Sequence, residues 1–162
     1  MTDREKFSDP IHLAVEKGGL ALLLLLWIYV GFIYMDLPES IPVHFNGKGE
    51  PDSSGDKSMI FILPLLATFL FGGLNWLKQY PEHLNYPVRI TEENAARQYR
   101  NLRRMILVLN TIIILTFWGI CIGTVLVANG EADGLGVWFI PLFIFLLLGT
   151  TFYFLFKGYK IG

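Results

Sequence analysis

Cysteine and histidine are scarce in this sequence, which contains 1 Cys and 3 His among 162 residues. The single cysteine, Cys121, cannot form an intramolecular disulfide, and we predict a packing role for it. No His-Glu-x-x-His motif is present, and no second histidine lies close in sequence to His44. The pattern therefore lacks the usual signatures of a zinc enzyme or of a nucleophile–base pair.

Charge is absent from four long apolar blocks, which cover residues 18–35, 58–77, 105–128 and 135–156 and contain no Asp, Glu, Lys, Arg or His. About 20 such residues span a hydrocarbon core roughly 30 Å thick. Four of these blocks in so short a chain would leave too little polar surface for a soluble fold. The sequence predicts an all-α integral membrane protein, a four-helix transmembrane bundle in a single domain of residues 1–162.

The segments before, between and after these blocks alternate between a higher and a lower content of Lys and Arg. The N-terminal tail, the second connection and the C-terminus together hold 11 Lys and Arg residues, and the first and third connections hold 2. Basic segments stay in the cytoplasm during membrane insertion. We therefore predict that both chain ends face the cytoplasm, that the first block is an uncleaved anchor, and that the first connection faces outward.

The predicted outer loop, residues 36–57, is rich in proline, glycine and acidic side chains. Residues 41–45 favour an extended strand, and Asn46-Gly47 is a turn signal. We interpret the loop as a preformed surface that recognises a ligand. The candidate recognition residues are Pro38, Pro42, His44, Phe45, Asn46, Gly49, Asp52 and Lys57. An alternative interpretation is a metal-dependent membrane enzyme in which His44, Glu50 and Asp52 bind the ion.

An amphipathic pattern precedes the third apolar block and predicts a cytoplasmic helix that leads into it. Four arginines lie in this segment: Arg97, Arg100, Arg103 and Arg104. Near the inner membrane face they are expected to contact anionic lipid or a cytoplasmic partner rather than nucleic acid.

Within the third block, Asn110 and the small-residue pair Gly119 and Gly123 predict close helix packing. A third interpretation is an accessory subunit of a larger membrane complex, in which the same glycines lie at a helix contact. Transporters that couple to ions or protons keep ionisable residues at membrane depth, and this chain has none there. A self-contained pump is therefore disfavoured.

Two strings resemble one known family. The first is Tyr34-x-x-Leu37-Pro38-x-x-Ile41-Pro42-x-His44-Phe45-x-x-x-Gly49-x-x-Asp52-x-x-Gly55-x-Lys57. The second is Asn85-Tyr86-Pro87-Val88-x-Ile90-Thr91-Glu92-Glu93-Asn94-Ala95-x-x-Gln98-Tyr99. The chain resembles the bacterial membrane family called domain of unknown function 1648, also found in the N-terminal part of SdpI-type toxin-immunity proteins. The resemblance implies a multi-pass protein of the bacterial cytoplasmic (inner) membrane. By analogy it implies immunity or signalling, with a peptide toxin or another membrane protein as partner. The residues themselves predict no cofactor.

Overall fold

The structure, a computed structural model, describes residues 10–162, with side chains from His12 onward. The N-terminal tail before residue 10 lies outside the described residues. Four helices in this part of the chain are long and apolar enough to cross a membrane. They are α1 (Pro10–Ile33), α2 (Ile62–Leu77), α3 (Ala95–Ala128) and α4 (Phe139–Lys160). The predicted membrane fold with four spanning helices is confirmed.

The first connection adds two short strands to this helical fold. Strands β1 (Ser40–Phe45) and β2 (Pro51–Asp56) form an antiparallel hairpin, and a 3₁₀ helix (Lys57–Phe61) then leads into α2. Pro64 lies in the first turn of α2, where a missing backbone N–H costs no helical hydrogen bond. The hairpin therefore joins α1 to α2 without interrupting either helix.

Helix α3 is the centre of the fold, because it packs against α1, α2 and α4, whereas α4 packs mainly against α3. Its 34 residues span about 51 Å at 1.5 Å per residue, longer than the hydrocarbon core. The predicted amphipathic helix thus continues into the third spanning helix without a break. Its first turns extend beyond the apolar layer.

Polar side chains tie α1, α2 and α3 together inside the apolar layer. The Trp118 indole N–H on α3 donates to the Leu22 carbonyl of α1 at 3.0 Å. The Asn110 amide on α3 donates to the Phe71 carbonyl of α2 at 3.4 Å. Without water to compete, such bonds help to fix how the helices pack.

The two glycines of α3 lie against α4 and the segment that precedes it. A Cβ atom at Gly119 would come within 2.6 Å of the Phe139 ring. A Cβ atom at Gly123 would overlap the Leu135 side chain. The contact surface predicted from these glycines is therefore occupied within the chain itself.

Candidate functional site

His44 and Asp52 form the closest polar pair of the hairpin. The strand register shifts on both sides of His44, which leaves Val43 on β1 and Asp52 on β2 without a paired residue. Such bulges turn a side chain away from its regular direction. Here Asp52 Oδ1 lies 2.5 Å from His44 Nδ1, and both side chains are exposed. In this pair the Nδ1 atom of the His44 imidazole is hydrogen-bonded to Asp52, and the ring is exposed at the surface of the hairpin.

Asn46 organises the turn of the hairpin. Its Oδ1 accepts hydrogen bonds from the backbone N–H of Lys48 at 2.8 Å and of Glu50 at 3.2 Å. Its amide donates to the Glu50 carboxylate at 2.9 Å. The predicted turn begins here, but the left-handed residue is Gly49, with φ of 79°, rather than Gly47.

The turn docks on the loop between α3 and α4. The backbone N–H of Leu135 donates to the Gly49 carbonyl at 2.7 Å. A Cβ atom at Gly49 would lie 2.6 Å from the Gly136 carbonyl oxygen, so the two backbones are in direct contact. A Cβ atom at Gly134 would overlap the Gly49 carbonyl. Gly49 is therefore a docking residue of the loop, and glycine is the residue that fits there.

Lys57 and Asp56 secure the base of the hairpin. The Lys57 ammonium lies 2.9 Å from the Glu39 carboxylate and 5.3 Å from the centre of the Tyr34 ring. Asp56 accepts a hydrogen bond from the Ser58 N–H at 2.8 Å, and hydrogen bonds from Ser58 hold the pKa of Asp56 below its ordinary value. This cap is present at neutral pH and is lost as the pH falls through that lowered pKa.

The two prolines of the candidate set differ in their surroundings. Pro38 is exposed in the connection from α1, whereas Pro42 is buried on β1. Pro42 and Phe45 face a cavity beneath the hairpin. Pro42, His44 and Phe45 thus line this cavity, whereas Pro38 does not.

The cavity beneath β1 has a volume of about 310 Å³ and a mostly apolar lining. Residues 41–45 of β1 form its roof, and Met59, Ile60, Ile62 and Leu63 form one side. Thr116, Ile120 and Thr124 of α3 form its floor, and Leu135, Phe139, Ile140 and Phe143 close the other side. Its size and apolar lining with a few polar groups match a small-molecule site.

The carboxylates of the loop do not converge on His44. Asp52 pairs with it, but the Glu50 carboxylate bonds to Asn46. Across residues 12–162 no group of three or more His, Cys, Asp or Glu side chains is placed to hold a metal ion. The set of His44, Glu50 and Asp52 is therefore not assembled as an ion site in this conformation.

The four arginines of α3 separate into two groups. Arg103 turns toward α2, where its Nε donates to the Lys78 carbonyl at 3.3 Å. Arg97, Arg100 and Arg104 share a pocket with Lys157 of α4. Positions 97, 100 and 104 are spaced to share one face of a helix, but nothing in the sequence indicates that Lys157 joins them.

The residues that sequence reasoning missed are the apolar walls of the cavity. Leu63 on α2 and Phe143 on α4 look like any lipid-facing side chain in an apolar block. Nothing in the sequence indicates that a gap opens between these two helices.

Comparison with known proteins found a family match and a relative. Residues 21–68 match the family described as domain of unknown function (DUF1648). An uncharacterized protein of Archaeoglobus fulgidus is 30% identical over 122 residues, which cover 65% of this chain and 66% of that protein. Over residues 21–68 the chain is therefore similar to the DUF1648 family. No solved structure matches it.

The DUF1648 match covers most of α1, the whole hairpin and the first part of α2. It therefore contains the roof and one side of the cavity. The floor and the other side come from α3 and α4, outside the matched residues. The match to the archaeal protein covers 66% of the length of that protein, so about a third of it lies outside the residues that align with this chain.

Proposed function

We propose that this protein is a non-enzymatic membrane protein that recognises an envelope-active amphiphile at its hairpin. The observation that carries the proposal is the apolar cavity of about 310 Å³ roofed by β1, with His44 on its lining. The cavity would take the apolar part of the agent. The pair of His44 and Asp52 would contact its polar part.

The distribution of basic residues supports an outward-facing hairpin. Eleven Lys and Arg residues lie in the tail, the second connection and the C-terminus, against two in the first and third connections. The hairpin would then meet an agent arriving from outside the cytoplasmic membrane. A protein that binds such an agent protects the cell from it or signals its presence, and a peptide toxin is the partner that the SdpI-type analogy suggests.

The geometry of the cavity supports an amphiphile rather than a soluble polar ligand. Its floor and parts of its walls come from the spanning helices α2, α3 and α4, so it would lie near the acyl chains of the bilayer. An apolar group that moves from the lipid into the cavity gains little free energy, because the two environments are similarly apolar. Selectivity would therefore depend on the polar contacts at His44 and on the shape of the cavity.

His44→Ala is expected to weaken protection about tenfold, because it removes the hydrogen bond between His44 and the polar part of the agent. Such a bond to a charged group contributes about 1.5 kcal/mol or more. The measurement is the growth of bacterial cells that express the protein, challenged with a panel of membrane-active cationic peptides. His83→Ala is the matched control. His83 is also exposed and lies 3.4 Å from Glu82, but it belongs to the connection between α2 and α3.

Wild-type protein should raise the tolerated concentration of at least one peptide. The His44 variant should lose that gain at equal abundance in the membrane, and the His83 variant should keep it. Absence of any gain from the wild-type protein, or full protection by the His44 variant, would contradict the proposal.

A further inference from the structure

A second pocket lies between α3 and α4, at the opposite end of the spanning helices from the hairpin. It has a volume of about 170 Å³ and is lined by Arg97, Arg100, Asn101, Arg104, Lys157 and Ile161. Three of the four cations follow one face of α3 at positions i, i+3 and i+7. Lys157 supplies the fourth from α4.

The two helices are fixed to each other beside this pocket. The buried Gln98 amide donates to the Gly158 carbonyl at 2.7 Å. The buried Asn101 amide donates to the Phe154 carbonyl at 2.8 Å. Because these bonds join α3 to α4, the backbone positions of the cations are set before any ligand arrives.

Three of the four cations that line the pocket have no carboxylate partner in the part of the chain that the structure describes. Within residues 12–162, Arg97, Arg100 and Lys157 form no salt bridge with a carboxylate. Arg97 Nε donates to the Ile161 carbonyl at 3.3 Å, which leaves the ends of its guanidinium group for another acceptor. Three cations that converge without an acid favour a small anion, and phosphate fits the fork of an arginine.

We propose that this pocket binds the phosphate of an anionic phospholipid headgroup. The site lies where the apolar part of α4 gives way to Lys157 and Lys160, which is the depth of the headgroups. The Lys157 ammonium lies 5.9 Å from the ring centres of Tyr153 and Phe154, and aromatic rings are typical of this boundary. Basic pockets between spanning helices hold such headgroups on the cytoplasmic side of membranes.

The test uses the purified full-length protein in a neutral detergent, with native mass spectrometry to count retained lipid. Phosphatidylglycerol and phosphatidylcholine are offered at equal concentration, and inorganic phosphate and glycerol phosphate are offered in separate arms. The double variant Arg100→Gln/Lys157→Gln removes two cations of the pocket. Arg89→Gln/Lys160→Gln removes the same charge outside it.

The wild-type protein is expected to prefer phosphatidylglycerol over phosphatidylcholine. The pocket variant should lose that preference about tenfold or more, as expected when charge-assisted hydrogen bonds are removed. The control should change about threefold at most, since screened surface charge contributes little. Thermal unfolding in the same detergent verifies that both variants are folded.

Three results would overturn the proposal. The first is an equal loss in the two double variants, which would mean general attraction to charge. The second is saturation of the pocket by glycerol phosphate or inorganic phosphate without any preference between lipids, which would assign it to a soluble anion. The third is an unchanged lipid preference in a folded pocket variant. None of these results bears on the hairpin, so the proposed function is tested separately.

Discussion

Gly49→Ala is expected to release the turn of the hairpin from the loop between α3 and α4. Gly49 has φ of 79°, a conformation that costs a residue with a Cβ atom about 1–2 kcal/mol. The added Cβ would also lie 2.6 Å from the Gly136 carbonyl oxygen, which is backbone and cannot rotate away. A two-stranded hairpin is marginally stable by itself, so losing this contact frees it.

Trypsin cleavage after Lys48, followed by mass spectrometry, measures this release, because Lys48 is exposed next to Gly49. Cleavage should become about tenfold faster, since about 1.4 kcal/mol of local stability corresponds to a factor of ten in the open population. Gly47→Ala is the control, because Gly47 has no neighbouring atom within 4 Å of a Cβ and no positive φ. Equal rates in the two variants would mean that the turn is not held at Gly49.

Ile120→Trp is expected to abolish recognition by filling the cavity. Ile120 lies on the floor of the cavity, between Thr116 and Thr124, and the space above it has room for a larger side chain. The variant should remain folded, since a side chain that fills an empty space often adds stability. Ile122→Trp is the control, because Ile122 is on the same helix but is exposed on its outer surface.

A photoreactive single-chain fatty acid measures access to the cavity directly. Labelling of Leu63, which lines the cavity, should fall about tenfold in the Ile120 variant relative to labelling of Leu148, which is exposed on α4. The Ile122 variant should leave this ratio unchanged. If the ratio is the same in both variants while the Ile120 variant is folded, the cavity is not the site of the apolar chain.

The spanning helices could be predicted because the signal that defines them is local. Each apolar block is long enough to cross the bilayer, and lipid forces every backbone polar group in it into a helix. The same locality explains the strand at residues 41–45, where a β-rich run precedes Asn46. The free-energy cost of unpaired backbone polar groups in lipid therefore determines the four helices that make up most of the fold.

The cavity could not be predicted, because it depends on how distant elements pack. Gly49 and Gly136 are far apart in the chain, yet their contact places the hairpin over the gap between α2 and α4. The pairing of His44 with Asp52 depends on two register shifts that the alternation of residues does not reveal. The start of α4 at Phe139 follows from the same docking, because residues 134–136 are used in the loop.

The proposed function depends above all on the side of the membrane that the hairpin faces. The direct measurement is labelling by a membrane-impermeant maleimide in a Cys121→Ala background, with a single cysteine at Ser53 of β2 or at Glu92 ahead of α3. We expect the Ser53 cysteine to react in intact cells and the Glu92 cysteine to react only after the membrane is permeabilised. The reverse pattern would place the hairpin in the cytoplasm and contradict the proposal.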